Sequence, residues 1–351
     1  FTIFKQIHYA LTADLGFDEE NILLLNLDEE LTTEKSRLIK GEILQKTNAI
    51  NASIVANAPG GGGISLTTIS PANQSDEEPK FVHLNNVDQD YLSTFGIELI
   101  QGQFFSEEYS SELSHAVVIN ETAVKEFDIE NPIGFKFMRS EKEYTVIGVT
   151  KDYHTQSMHD RIPSYALFYA PQYCRLLAIK MPAENQAKTI ANIRQVWNDV
   201  LPDMPFEYRF LEDVIHESYS NEQRIGSLFI TFSLLTIFVA CLGLFGLAAF
   251  ASEQRTKEIG IRKALGATVS NIFGLLSKEF LMLVVIANVV AVPIAYYTMN
   301  EWLQNFAYRT SIGWFTFFLS AFLAVMISLC SISFQSIKAA FANPVDSLRY
   351  E

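Results

Sequence analysis

The chain has 351 residues, 49% of them hydrophobic, and a net charge of −14 that is distributed unevenly. Residues 1–221 hold 17 Lys plus Arg against 33 Asp plus Glu, a net of −16, whereas residues 222–351 hold 9 against 7, a net of +2. An acidic front and a near-neutral rear offer no basic surface for a nucleic acid, so that class of partner is excluded. Cys174 is the only cysteine of the front part, which excludes an internal disulfide framework there.

In chain order, "FTIFKQIHYALTADLG" opens on apolar residues without an initiator Met. A domain outside the membrane needs an export route, so residues 1–16 are expected to be the outer end and stalk of a missing transmembrane helix lying just upstream of Phe1. Residues 17–221 then read as an α+β domain in two parts. "NILLLNL" (21–27), "ASIVANA" (52–58), "RLLAIKM" (175–181) and "FEYRF" (206–210) have the branched and aromatic content of strands bounded by turn residues. Ile190, Ile193, Trp197 and Val200 recur at three- and four-residue steps between Pro182 and Pro202, which predicts a helix with one apolar face. Residues 80–170 carry a further set, "KFVHLNNV", "HAVVIN", "KEYTVIGV" and "YALFYA", and are expected to form a strand-rich insertion. The polar, Pro-bounded "PANQSDEEP" (71–79) marks its expected boundary.

Two motifs in this region invite a chemical reading. "APGGGG" (58–63) has the glycines of a phosphate loop but not the Lys and Ser/Thr that complete a Walker motif, so a flexible turn is expected. "KDYHTQSMHD" (151–160) gathers Asp152, His154, His159 and Asp160 without a spacing that would place them around one ion, and a polar loop is expected instead. No catalytic constellation, cofactor motif or metal set emerges, and the chain is expected not to be an enzyme.

The rear part, residues 222–351, contains three long runs without Asp, Glu, Lys or Arg: 28 residues over Ile225–Ser252, 21 over Phe280–Asn300 and 28 over Thr310–Ile337. About 20 apolar residues suffice to cross a bilayer, so three transmembrane helices are predicted at about 226–250, 280–300 and 312–336. "LEDVIHESYSNEQRIGSLF" (211–229) has no proline and is expected to run into the first crossing as one rod. Ala240, Gly243, Gly246 and Ala249 form a small-residue stripe that permits close helix packing, within the chain or against a second copy. The loop at 253–279 carries Arg255, Lys257, Arg262, Lys263 and Lys278, and the loop at 301–309 only Arg309. Cationic loops stay on the cytoplasmic side, so 253–279 is expected inside and residues 1–221 outside.

Within that inner loop, "EQRTKEIGIRKALGAT" (253–268) pairs Glu253 with Lys257 and Glu258 with Arg262 at four-residue spacing, each acid N-terminal to its base. Ile259, Ile261 and Leu265 supply apolar area, and Gly260 and Gly266 leave room for close approach. A short docking helix accounts for these features where a mere topological anchor explains only the Lys and Arg.

"RTKEIGIRKALGAT", with two further apolar runs and the tail "ANPVDSLRYE", resembles the FtsX-like permease domain of MacB-type ABC transporters. "NVDQDYLSTFGIELIQGQFF", "AVVINETAVKEF", "PIGFKF" and "YTVIGVTKDYH" resemble the MacB-like extracytoplasmic domain, so the resemblance spans nearly the whole chain. It implies a multi-pass permease of the bacterial inner membrane with a large outer domain: a porter-like subdomain from residues 17–75 and 172–215, with residues 80–170 inserted. It also implies a partner ABC-type ATPase held at a coupling helix, here Glu258, Ile259, Gly260, Ile261, Arg262, Lys263, Leu265 and Gly266. A second permease half, as homodimer or fused repeat, is implied too, with membrane lipid around it and a periplasmic adaptor or other outer protein as a further partner. The expected role is mechanotransmission for export of a drug, peptide or lipoprotein; the alternative is an FtsX-like signalling scaffold that controls an outer partner such as a cell-wall hydrolase.

Overall fold

A computed structural model describes residues 14–28, 31–61, 63, 65–72, 78–106, 113–156, 161–218, 220–304 and 313–341. They fall into two units, one ending at Asn221 and one beginning at Glu222. The first contains, in order, β1 (Ile22–Asn26), α1 (Thr33–Lys46), β2 (Asn51–Val55), β3 (Ser65–Pro71), β4 (Lys80–Val87), α2 (Tyr91–Phe95), β5 (Leu99–Gly102), β6 (Ala116–Asn120), α3 (Glu121–Glu126), β7 (Lys136–Arg139), β8 (Lys142–Thr150), β9 (Tyr165–Tyr169), β10 (Leu176–Lys180), α4 (Gln186–Val200), β11 (Tyr208–Phe210) and α5 (Leu211–Ser218).

Four of these strands lie in the order β11-β1-β10-β2, with antiparallel neighbours throughout. The run Ile22–Leu25 is apolar without alternation because β1 is central and covered on both faces, as its burial shows. Helices α1 and α4 pack on this sheet, where Ile39 and Ile43 of α1 and Ile193 and Trp197 of α4 meet Leu23, Leu25, Ile54, Leu177 and Ile179. Trp197 is 1% exposed, and its indole N–H donates to the Met204 carbonyl at 3.1 Å, which satisfies its one polar atom.

The remaining strands close on themselves. Following the pairings from β4 through β3, β7, β8, β6 and β9 returns to β4, because β9 also pairs with β4 in parallel. Closure removes the open edges that six short strands would otherwise present. β5 adds to β8 beyond the stretch that β7 occupies. Ile69, Val82, Val117, Ile119, Phe137, Val146 and Phe168 fill this second core. All four strands expected within 80–170 are present, but β3 lies ahead of residue 80 and pairs with β4 as a hairpin, Ile69 opposite Lys80. The strand-rich part therefore opens at Ser65, and the segment expected to bound it at 71–79 connects two of its strands instead.

The "APGGGG" turn is structural. Gly60 has φ +72°, and a Cβ there would stand 2.9 Å from Ile215 of α5 and 3.1 Å from Phe17, so only glycine closes this corner. Asp152 of the "KDYHTQSMHD" loop is likewise committed: its carboxylate accepts from Asn120 Nδ2 at 2.8 Å and from the backbone N–H and hydroxyl of Thr122 at 2.9 and 2.8 Å. His159 and Asp160 lie outside the described residues, and among the described residues no cluster of metal-ligating side chains forms.

The second unit consists of α6 (Ser220–Gln254), α7 (Thr256–Ala264), α8 (Val269–Leu303) and α9 (Trp314–Phe341). Three stretches are long and apolar enough to cross a membrane: Arg224–Gln254, Ser270–Leu303 and Trp314–Phe334. The middle helix begins 11 residues before the expected position 280, because Thr268 caps it by accepting from the Asn271 N–H, and it continues to Leu303 through Pro293, whose missing N–H removes one helical hydrogen bond without ending the helix. Residues 1–13 of the expected stalk, and Tyr219, at the join of α5 to α6 on which a continuous rod depends, lie outside the described residues; Leu15 is buried and its carbonyl accepts from the His154 N–H at 2.8 Å, so residues 14–16 belong to the folded first unit.

Candidate coupling site

The "EQRTKEIGIRKALGAT" stretch becomes α7 and its two connections. Helix α6 ends at Gln254; α7 follows after a single residue, Arg255, and the backbone N–H of Ile259 donates to the Arg255 carbonyl at 2.9 Å. At the other end Leu265 N–H reaches the Ile261 carbonyl at 3.0 Å and Ala267 N–H the Arg262 carbonyl at 3.0 Å, a closure that requires a left-handed residue between them. Gly266 supplies it, at φ +92°. A Cβ at Gly266 would meet nothing within 4 Å, so this glycine is set by backbone conformation and not by the approach of a neighbour.

The eight residues expected to form one docking surface divide between two sides. Ile259 is 5% exposed and Gly260 is buried, so both face the unit's interior. Ile261 is 51% exposed and Leu265 82%, and their four-residue separation aligns them on one outward face. Positions 259 and 261 are about 200° apart around a helix, which is why the three apolar residues cannot share a face. Glu258 and Arg262 form the expected ion pair at 2.7 Å, both about half exposed. The side chains of Lys257 and Lys263 lie outside the described residues, and with them the pairing of Glu253 to Lys257.

One contact was not anticipated. Arg255 Nη2 lies 2.8 and 2.9 Å from the two carboxylate oxygens of Glu279 on α8, 24 positions away. This pair ties the entry of α7 to the second long helix. Its sequence signal is slight but real: Arg255 follows one apolar run and Glu279 immediately precedes the next, with opposite signs. Nearby, Ala248 of α6, Phe280 of α8 and Ile332 of α9 are buried together, so the three long helices are packed where α7 leaves them. α7 also contacts α9. The small-residue stripe faces outward: a Cβ added at Gly243 or Gly246 would meet no atom within 4 Å, so these glycines are not used for packing among the described residues. In α8, Pro293 lies within an apolar groove shared with Phe318 and Phe322 of α9.

Residues 28–196 match the MacB-like periplasmic core domain, and residues 230–344 match the FtsX-like permease C-terminal. The chain is 23% identical over 270 residues to the macrolide export ATP-binding/permease protein MacB of Bdellovibrio bacteriovorus, covering 72% of this chain and 41% of that protein. It is 22% identical over 313 residues to MacB of Escherichia coli, covering 82% and 47% respectively. Among solved structures it is similar to the periplasmic region of MacB from Actinobacillus actinomycetemcomitans, with a TM-score of 0.43 and 15% identity over 60% of this chain and 98% of that one. The chain spans less than half the length of these curated relatives. With a periplasmic core domain and a permease domain matched in succession, and three helices able to cross a membrane in the second of them, the chain is a MacB/FtsX-like ABC transporter permease.

Proposed function

We propose that this permease couples ATP hydrolysis by an ABC-type ATPase to movement of its periplasmic domain, and that α7 is where the ATPase docks. The ATPase is a separate polypeptide or a domain outside these 351 residues, since no Walker Lys and Ser/Thr accompany the only glycine-rich loop, "APGGGG". The observation that carries the reading is the outward pair Ile261 and Leu265, 51% and 82% exposed on a helix whose other face is buried. Exposed apolar side chains in a charged cytoplasmic loop fit a groove on a soluble partner, and the Glu258–Arg262 pair beside them fixes the register. Gly260 faces inward, so it acts by letting α7 lie close to its own unit and not by contact with the ATPase.

Motion imposed on α7 passes to α8 through Arg255 and Glu279 and to α6 through the single connecting residue. A second permease half, in a homodimer or a fused repeat, fits against the open stripe of Gly243 and Gly246. The relatives are named for macrolide export; export of a drug, peptide or lipoprotein, with a periplasmic adaptor as a further partner, is the corresponding role here. The inner membrane is the expected location, with residues 253–279 cytoplasmic.

The test is co-purification with the ATPase and stimulated ATP hydrolysis, at matched expression and membrane insertion. Buried anchor residues cost at least about 2 kcal/mol when lost, against roughly 0 to 1 for an exposed charge pair. Ile261→Asp with Leu265→Asp is therefore expected to abolish both signals, Arg262→Ala to weaken them slightly and Lys278→Ala to leave them unchanged. Full retention of both signals in the double variant would overturn docking at α7.

A further inference from the structure

The periplasmic domain holds a cleft of about 440 Å³ beside the β7–β8 hairpin, whose chemistry contrasts with the −16 charge of residues 1–221. Two cations line it, Arg139 and Lys142, and among the described residues no carboxylate does. They are direct cross-strand partners, flanking a turn in which Ser140 and Glu141 have φ 46° and 66°. Like charges opposite one another weaken a hairpin, so folding alone does not favour this pair. Neither cation is neutralised among the described residues. Arg139 gives its Nε–H to the Thr67 hydroxyl at 3.1 Å and stacks 4.3 Å above the Phe168 ring, which fixes its guanidinium while leaving other N–H donors for a ligand. The neighbouring Glu143 is already paired with Lys136 at 2.6 Å and takes no part.

Four aromatic residues, Tyr144, Phe168, Tyr169 and Tyr173, share the rest of the wall with polar and small residues such as Asn86, Ser114 and Gln172. Tyr144 meets Phe168 edge-on at 5.0 Å, and Tyr173, 66% exposed, stands at the mouth. A volume of this size suits a small molecule, and two cations without an acidic partner among the described residues, one of them stacked on Phe168, together with the tyrosine rings select an anion carrying a flat apolar body. We propose that this cleft binds a small organic acid, its carboxylate between Arg139 and Lys142 and its apolar part against Tyr144 and Tyr173.

N-acetyl-L-tryptophan and N-acetyl-L-tryptophan amide test this directly, because they share one aromatic body and differ in the charge. Binding of each to the full chain in a non-ionic detergent is read by saturation-transfer NMR, with inorganic phosphate as a competitor. The acid is expected to bind about 10-fold more tightly than the amide, the scale of one charge-assisted hydrogen bond. Phosphate is expected to compete weakly. Lys142→Glu, an exposed substitution that leaves Arg139 on Phe168, is expected to abolish the preference, and Tyr173→Ala to weaken acid and amide alike. Equal binding of acid and amide, a preference that survives Lys142→Glu, or displacement by phosphate as strong as by the acid would each overturn the proposal. The assay contains no ATPase, so its outcome is separate from that of docking at α7.

Discussion

Lys40 sits on the inward face of α1, 7% exposed, where a hydrophobic residue would be expected. Its ammonium contacts Asp88 at 2.5 Å and also Asp90, while Asp88 accepts from the Ser53 hydroxyl at 2.6 Å and the Ile54 N–H at 2.9 Å. Burial by itself lowers the pKa of Lys40, but the charge and hydrogen bonds of Asp88 and Asp90 outweigh it and hold the group above its ordinary 10.5. A cation whose folded pKa is raised contributes stability that is complete below about 10.5 and is lost as pH rises through the folded value. The domain is therefore expected to weaken selectively in the alkaline range. Lys40→Met leaves the Asp88 carboxylate buried without its cation, and a loss of about 3 kcal/mol is expected in urea unfolding of the purified chain. An unchanged midpoint at pH 7 would refute this role. The same residue explains why α1 escaped the sequence reading: with Lys40 on the buried face, only Ile39 and Ile43 signal a helix, and the acids that neutralise the lysine lie 48 and 50 positions away.

Among the elements, those with strong local periodicity were legible. The spacing of Ile193 and Trp197 predicts α4, and the i,i+4 charges predict α7. β3 and β7 were not, since Ile69 and Pro71 are the only fully buried residues of one and Phe137 the only one of the other, and closure of the ring of strands supplies the rest of their stabilisation. For α7 the sequence identifies the helix but not its orientation, because which side faces inward is decided by α8 and α9. The Arg255–Glu279 contact bears on that orientation. Arg255 and Glu279 are 32% and 60% exposed, so their attraction is screened by solvent and contributes little to stability. Its effect on coupling is expected to be larger than its effect on folding. Arg255→Glu should reduce stimulated ATP hydrolysis several-fold with little change in thermal stability, and the reciprocal Arg255→Glu with Glu279→Arg should restore at least half of it. Failure of the exchanged pair to restore any activity would show that the contact does not position α7.

At the level of the whole molecule, the division of charge between residues 1–221 and 222–351 coincides with the division into two units at Asn221 and Glu222. That agreement follows from solvent: the acidic part must remain hydrated, while the long helices of the other expose Phe232, Leu234, Val289 and Phe318 to a degree that only lipid tolerates. Orientation then rests on the cations of the 253–279 loop. Cys174 is a poor reporter of it, because the thiol is 1% exposed and burial pushes its pKa far above the ordinary value, leaving little reactive thiolate. A chain with Cys174, Cys241 and Cys330 replaced by alanine, and single cysteines placed at exposed positions, avoids the difficulty. Ile50→Cys, at a site 63% exposed in the periplasmic domain, is expected to react with a membrane-impermeant maleimide added to intact spheroplasts. Leu265→Cys, at a site 82% exposed on the α7 side, is expected to react only after the membrane is opened. The opposite pattern would invert the topology and remove α7 from the reach of any cytoplasmic ATPase, so this measurement also decides whether docking there is physically accessible.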